Sequence, residues 1–174
     1  MTQEEKVQTT EPKTEVKTEV KKEASVKETP KNTSGKIAIV LVRGIVGLPQ
    51  PVKDTLFLLN INRKNHCVVV KNSPVNLGMI KKVKDYVTWG EISDDVYNQL
   101  VEKRGEEYEG RLSDSKKKYN YKTLDINGKK YKRYFRLNPP RKGFGRKGIK
   151  IAFKVGGGLG DRKEKMNDLI LRML

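Results

Sequence analysis

The sequence predicts an α/β fold in which a small sheet carries helices packed on one face. Three observations predict it. The chain enters its folded part in the order strand, helix, strand, helix. Further on, an Asn-Gly dipeptide between two strand-like runs marks a β-hairpin. Residues 36–174 are also long enough to bury roughly two-thirds of their unfolded surface in one core. One domain is expected over that range, after a tail at residues 1–35.

Each element has its own local reason. Lys36 to Arg43 is a short β-branched run and reads as a strand buried on much of its surface. Gly44 to Gln50 is a loop, and Pro51 suits the first position of a helix. Val52, Leu56 and Leu59 recur at helical spacing, with Thr55 and Leu58 widening the stripe. Asn60 to His66 ends that helix, and Cys67 to Lys71 is a second strand. Asn76 is a candidate cap for a second helix with Leu77, Ile80, Val83 and Val87 inward. Ser93-Asp94-Asp95 opens a third helix, with Val96, Leu100 and Val101 inward and Arg104-Gly105 as its cationic last turn and C′ glycine. Residues 105–120 are polar and irregular. Tyr121 to Ile126 and Lys129 to Leu137 form a hairpin on a type I′ turn at Asn127-Gly128. Ile149 to Val155 reads as a further strand. Met166, Leu169, Ile170 and Met173 line one face of a short closing helix that Asp161 is placed to cap.

Charge is distributed unevenly along this frame. The chain has 38 Lys+Arg against 21 Asp+Glu, a formal net charge of +17. Residues 1–35 contain the near-repeat Thr14-Glu15-Val16-Lys17 and Thr18-Glu19-Val20-Lys21, no aromatic residue, and equal numbers of Lys and Glu. Such a segment lacks the apolar surface to offset its ordering entropy, so it reads as a disordered, charge-balanced spacer. Residues 111–154 hold 16 basic and 2 acidic side chains. Solubility does not require such concentration, and its self-repulsion calls for a screening polyanion.

Several function classes lack their residues. The longest apolar run, Ile37 to Val42, is six residues, against about 20 for a membrane-spanning helix. The N-terminus carries no apolar stretch of a signal peptide, so a cytoplasmic location is expected. The single Cys67 permits no intramolecular disulfide. Cys67 beside His66, the chain's one histidine, falls short of a zinc ligand set, and as strand neighbours the two point to opposite faces. No metal, cofactor or small-molecule substrate is expected. Gly156-Gly157-Gly158-Leu159-Gly160 lacks the Gly-Lys-Ser/Thr ending of a P-loop, though its N–H groups, Gly157 among them, remain candidates to hold an RNA phosphate. Val42-Arg43-Gly44-Ile45-Val46-Gly47 resembles the acylphosphatase loop, but Leu48-Pro49-Gln50-Pro51 stands where those hydrolases place an arginine.

The residues fit RNA better. Pro139-Pro140-Arg141-Lys142-Gly143-Phe144-Gly145-Arg146-Lys147-Gly148 couples four cations to three glycines and one aromatic. Glycines let backbone approach a phosphate chain, the cations displace its counterions, and Phe144 either stacks on an unpaired base or packs on the core. The hairpin adds Lys129, Lys130, Lys132, Arg133 and Arg136, interleaved with Tyr131 and Tyr134, and Lys116-Lys117-Lys118 extends the same surface. No zinc-finger, homeodomain or RNP signature supports sequence-specific DNA reading, so structured RNA read through shape and phosphates is expected.

Several segments in series carry a specific likeness. Lys36–Asn60, Asn65-His66-Cys67, Asp85-Tyr86-Val87-Thr88-Trp89-Gly90 and Val101-Glu102-Lys103-Arg104-Gly105 are four of them. Phe135-Arg136-Leu137-Asn138-Pro139-Pro140-Arg141-Lys142-Gly143-Phe144 and Gly156-Gly157-Gly158-Leu159-Gly160-Asp161-Arg162 complete the series. Together they resemble the L-thirty family of large-subunit ribosomal proteins, L-seven in eukaryotes, in its archaeal and eukaryotic branch. The resemblance covers residues 36–174 except about 105–134, where the chain has a hairpin pattern in place of a longer helical insertion. It implies a small three-stranded antiparallel sheet with two helices, related to ferredoxin-like topology. It also implies a non-enzymatic constituent of the large ribosomal subunit in the cytoplasm, supporting translation and subunit assembly. The implied partners are large-subunit rRNA near the 5S rRNA region and neighbouring ribosomal proteins. Within it, Arg43, Arg63, Lys64, Lys71, Arg141, Lys142, Arg146, Lys147, Lys150 and Arg162 are the expected RNA contacts, supported by the hairpin cations. The alternatives are a free RNA-binding or RNA-chaperone protein and, in the enzyme class, an acylphosphatase-like hydrolase.

Overall fold

A computed structural model describes residues 35–174; residues 1–34 of the expected tail lie outside the described residues. The elements are β1 (Lys36–Leu41), α1 (Gln50–Leu58), β2 (His66–Lys71), α2 (Pro74–Lys82), β3 (Val87–Glu91) and α3 (Asp94–Arg104). After them come β4 (Leu124–Ile126), β5 (Lys129–Tyr131), β6 (Phe135–Arg136), β7 (Gly160–Asp161) and α4 (Lys165–Met173). The main sheet has the order β6-β2-β1-β3-β7, and β4 and β5 form a separate ribbon. The three longest strands are antiparallel and central, as the family resemblance implies. Two short edges extend them, β6 antiparallel to β2 and β7 parallel to β3.

The helices cover both faces of the sheet, where the sequence predicts one. Ile37, Ile39 and Leu41 of β1 pack with Leu56, Leu59, Ile80 and Val83 from the α1 and α2 segments. The alternate residues, Ala38, Val40 and Val42, pack with Val96 and Leu100 of α3 and with Met166, Leu169, Ile170 and Met173 of α4. A strand buried on both sides reads as an unbroken apolar run, and β1 does.

Other local expectations shift for identifiable reasons. Val87 and Trp89-Gly90 belong to β3, which pairs with β1 from Ile37↔Glu91 to Leu41↔Val87, so Val87 is no part of α2. The cap of α2 is Ser73, whose Oγ accepts from the Asn76 N–H at 3.3 Å, while the Asn76 side chain turns back to the Lys71 carbonyl at 2.8 Å. Pro51 falls one residue inside α1, and Leu58 projects outward, 73% exposed. Gly105 closes α3 at φ −66°, without a left-handed cap. Asp161 lies in β7 and accepts from the Lys163 N–H instead of capping α4.

The hairpin turn forms as expected, with Asn127 at φ 51° and Gly128 at φ 78°. Its second arm splits after Tyr131. Phe135 is fully buried and pairs with Cys67, so the chain leaves the ribbon to complete the main sheet. Residues 149–155 form no strand beyond an isolated Ala152↔Leu159 bridge, and a single 3₁₀ turn occupies Phe153–Val155. Their carbonyls are taken locally: Gly158 N–H and Leu159 N–H donate to Ile151, and Gly157 N–H donates to Ala152.

Candidate nucleic-acid interface

Strand register sorts the charges to two ends of the sheet. β1 ends at Leu41 opposite Val87, and Val40 pairs with Cys67 while His66 pairs with Arg136. Arg43, Arg63, Lys64, Lys84 and Arg136 thus gather where β1 stops. β6 runs outward at this same end and β7 enters from it, opposite Thr88, so the intervening loop 137–159 begins and finishes there. The other end carries Lys36 paired across from Lys71, with Asp94 bridged to Lys36 at 2.9 Å. Lys71 is therefore separated from the other expected contacts, in company with the acidic start of α3.

The loop is fixed through its backbone and leaves its cations outside. Asn138 N–H donates to the Met173 carbonyl at 3.0 Å and Arg141 N–H to the Arg172 carbonyl at 3.1 Å. The Arg172 guanidinium returns bonds to the carbonyls of Arg141 (3.1 Å) and Gly143 (3.2 Å), and it also meets Asp168 at 3.1 Å. Lys142 sits at φ 64°, a left-handed conformation that a lysine seldom adopts, inside the turn closed by Gly143 N–H to the Pro140 carbonyl. Lys147 N–H reaches the Gly156 carbonyl at 3.1 Å. Arg141, Lys142, Arg146, Lys147 and Lys150 are all exposed. The exposed cations are thus carried on a backbone held by hydrogen bonds at several points.

Three expected contact residues turn inward. Phe144 is 8% exposed and packs in the α3–α4 core, so of its two readings the packing one applies. Arg162 is 4% exposed; its Nε donates to Thr88 Oγ1 at 2.8 Å and its Nη2 to the carbonyls of Phe144 and Gly158. Burial lowers its pKa to about 10, so it remains charged at neutral pH. Gly157 is buried with its N–H bonded to Ala152, and it offers no phosphate cradle. All three hold the loop in place from inside.

The hairpin cations are partly matched. Glu106 accepts from Lys132 Nζ at 2.8 Å and lies 3.2 Å from Arg136 Nε, and Glu107 accepts from Lys129 at 2.8 Å. Segment 106–108 runs beside β5, with Tyr108 N–H on the Lys130 carbonyl and Lys132 N–H on Glu106. The hydrogen bond from Lys132 chiefly holds the Glu106 carboxyl below the usual range. Lys130 stays exposed, Arg133 is partly buried, and Lys116 to Lys118 are exposed, with Lys118 over the Tyr119 ring at 5.7 Å.

His66 and Cys67 point apart, as their strand position requires. Cys67 is fully buried in the α3–α4 core, and desolvation pushes its thiol up to about 12, which leaves no nucleophilic thiolate. No group of His, Cys, Asp and Glu suited to a metal occurs among the described residues. His66 stacks on Tyr134, ring centroids 4.8 Å apart. Burial first, then the charges of Arg136 and Arg63, hold its imidazole below the ordinary 6.5, against an opposing pull from Glu106. The unfolded chain therefore binds more protons as pH falls through 6.5, and the folded state loses stability until the lowered pKa is passed. Thermal melts between about pH 7.5 and about pH 5 are expected to show this loss. A His66→Phe variant, keeping the ring stack, is expected to show less of it.

Sequence reasoning missed Lys84 at this end of the sheet and Trp89 at the middle of β3, opposite Ile39. Lys84 lies in a stretch of nearly balanced charge, and only strand pairing brings it beside Arg43. The family model for ribosomal protein L30p/L7e matches residues 37–87. Large ribosomal subunit protein uL30 of Methanococcus maripaludis is 41% identical over 151 residues, covering 79% of this chain and 98% of that protein. The uL30 protein of Nanoarchaeum equitans is 41% identical over 161 residues, covering 79% and 97%. That of Methanopyrus kandleri is 38% identical over 149 residues, covering 76% and 100%. With that identity sustained over nearly the whole of each relative, the chain belongs to the uL30 (L30p/L7e) family of large ribosomal subunit proteins.

Proposed function

We propose that the chain clamps folded rRNA with the end of its sheet where β1 stops, using the fixed loop 137–150 as the principal contact. Family membership makes it a structural constituent of the large ribosomal subunit, with rRNA and neighbouring ribosomal proteins as partners on the cytoplasmic ribosome. The family is not enzymatic, and we read this chain in the same way. The observation that carries the reading is a backbone pinned to α4 and to the Arg162 side chain that exposes Arg141, Lys142, Arg146, Lys147 and Lys150 together. Arg43, Arg63 and Lys64 extend the surface, the hairpin and Lys116 to Lys118 form a second patch, and Lys71 stands apart. The 5S rRNA region is the proposed location.

Replacing Arg141 and Lys142 together by alanine is expected to lower the slope of log affinity against log salt by about two units, with little change in sequence preference. Filter binding to deproteinised large-subunit rRNA across a salt series measures it. An unchanged slope would place the contact elsewhere. Retention on large subunits sedimented in high salt separates a subunit constituent from a free RNA chaperone.

A further inference from the structure

Beside β7 the sheet opens into a cleft of about 410 Å³, lined by Arg43, Lys84, Asp85, Trp89, Lys150 and Leu159. Its size falls within the range of small-ligand sites. Its three cations come from three separate segments: the end of β1, the turn before β3, and the loop preceding β7. Arg43 is already oriented, with Nη1 3.2 Å from the Asp85 carbonyl and its guanidinium 4.9 Å from the Tyr86 ring centre. Trp89 is only partly buried, although its strand neighbours Thr88 and Gly90 are fully so.

Resting on the RNA-binding reading above, we propose that this cleft receives one unstacked nucleotide from a single-stranded rRNA segment. The base lies against Trp89, and the flanking phosphodiesters lie on Arg43, Lys84 and Lys150. An indole among cations is how single strands are held without sequence reading: every base has a face to stack, and the charges track the backbone. A duplex keeps its bases stacked and cannot offer the face of one to an indole. The Asp85 carboxylate in the same lining repels a dianionic free phosphate more than a singly charged phosphodiester, so an internal nucleotide suits the cleft better than a terminal or inorganic phosphate.

Trp89 is the chain's single tryptophan, so all indole emission reports on this cleft. Titration of the full chain with hexa-adenylate is expected to quench that emission saturably, while inorganic phosphate at equal ionic strength does not. The Lys84→Ala variant, which leaves every clamp cation in place, is expected to need several-fold more oligonucleotide for half-quenching. In anisotropy with a labelled oligonucleotide, Trp89→Phe keeps a stacking face and is expected to bind near the parent level, whereas Trp89→Ala loses about tenfold. If Trp89→Ala fails to fold, Lys84→Ala carries the test. Salt-dependent binding of deproteinised rRNA with emission unmoved and Lys84→Ala binding at the parent level would overturn the cleft and leave the clamp standing. Equal quenching by phosphate would also overturn it. Absence of any rRNA binding would overturn both readings.

Discussion

Replacing Arg162 with methionine is expected to lower the unfolding free energy by roughly 3 kcal/mol, measured by urea denaturation. The guanidinium ties three segments together: Thr88 of β3, the Phe144 carbonyl in the basic loop, and the Gly158 carbonyl before β7. It also lies 4.4 Å from the centre of the Phe153 ring. Methionine fills much of the volume but donates nothing, so two buried carbonyls lose their charged donor where water has little access. Lysine keeps the charge but lacks the planar fork that reaches several acceptors at once, so Arg162→Lys is expected to recover only part of the loss. RNA affinity is expected to fall with stability, because the same side chain anchors the loop bearing the cations proposed to meet phosphates. Tolerance of methionine within about 1 kcal/mol would show that the loop is held by other contacts.

Gly157→Ala is expected to cost about 3 kcal/mol, the upper part of the range for forced overpacking. A Cβ built on Gly157 would overlap the Ile151 carbonyl and side chain, and it meets backbone that cannot rotate aside. Gly148 is the control. It stands in open space at φ 89°, so alanine there incurs only the left-handed penalty of roughly 1 kcal/mol. Similar losses for the two variants would remove steric contact as the explanation, with thermal melts as the comparison.

Legibility in the sequence varied with how local the cause was. α4 was plain, because Met166, Leu169, Ile170 and Met173 repeat at helical spacing and all four are buried. The type I′ turn was plain, because Asn127-Gly128 satisfies two left-handed positions from within the dipeptide. Residues 149–155 misled: their alternating apolar character suited a strand, yet the glycines on both sides fold the segment onto itself, and Ile149, Ile151 and Val155 stay at the surface. β3 is hard to read in the sequence, because its Trp-Gly step breaks the strand pattern and its partner in β1 is distant along the chain. Among the contact residues, the exposed cations of the loop follow from composition. The inward turn of Arg162 does not, since nothing near it in the chain marks Thr88 and Phe144 as its acceptors.

The fold class, most helices, the hairpin turn, the concentration of positive charge in one stretch and the family can all be read from the chain before it folds. All of these depend on residue type and short-range spacing. Only packing shows which cations come to lie at one end of the sheet. Antiparallel register carries Arg43, Lys84 and the loop to one end of the sheet and leaves Lys71 at the other. It also decided which charge is structural, because a guanidinium's role depends on whether water or buried carbonyls surround it, and that is settled only when distant segments pack.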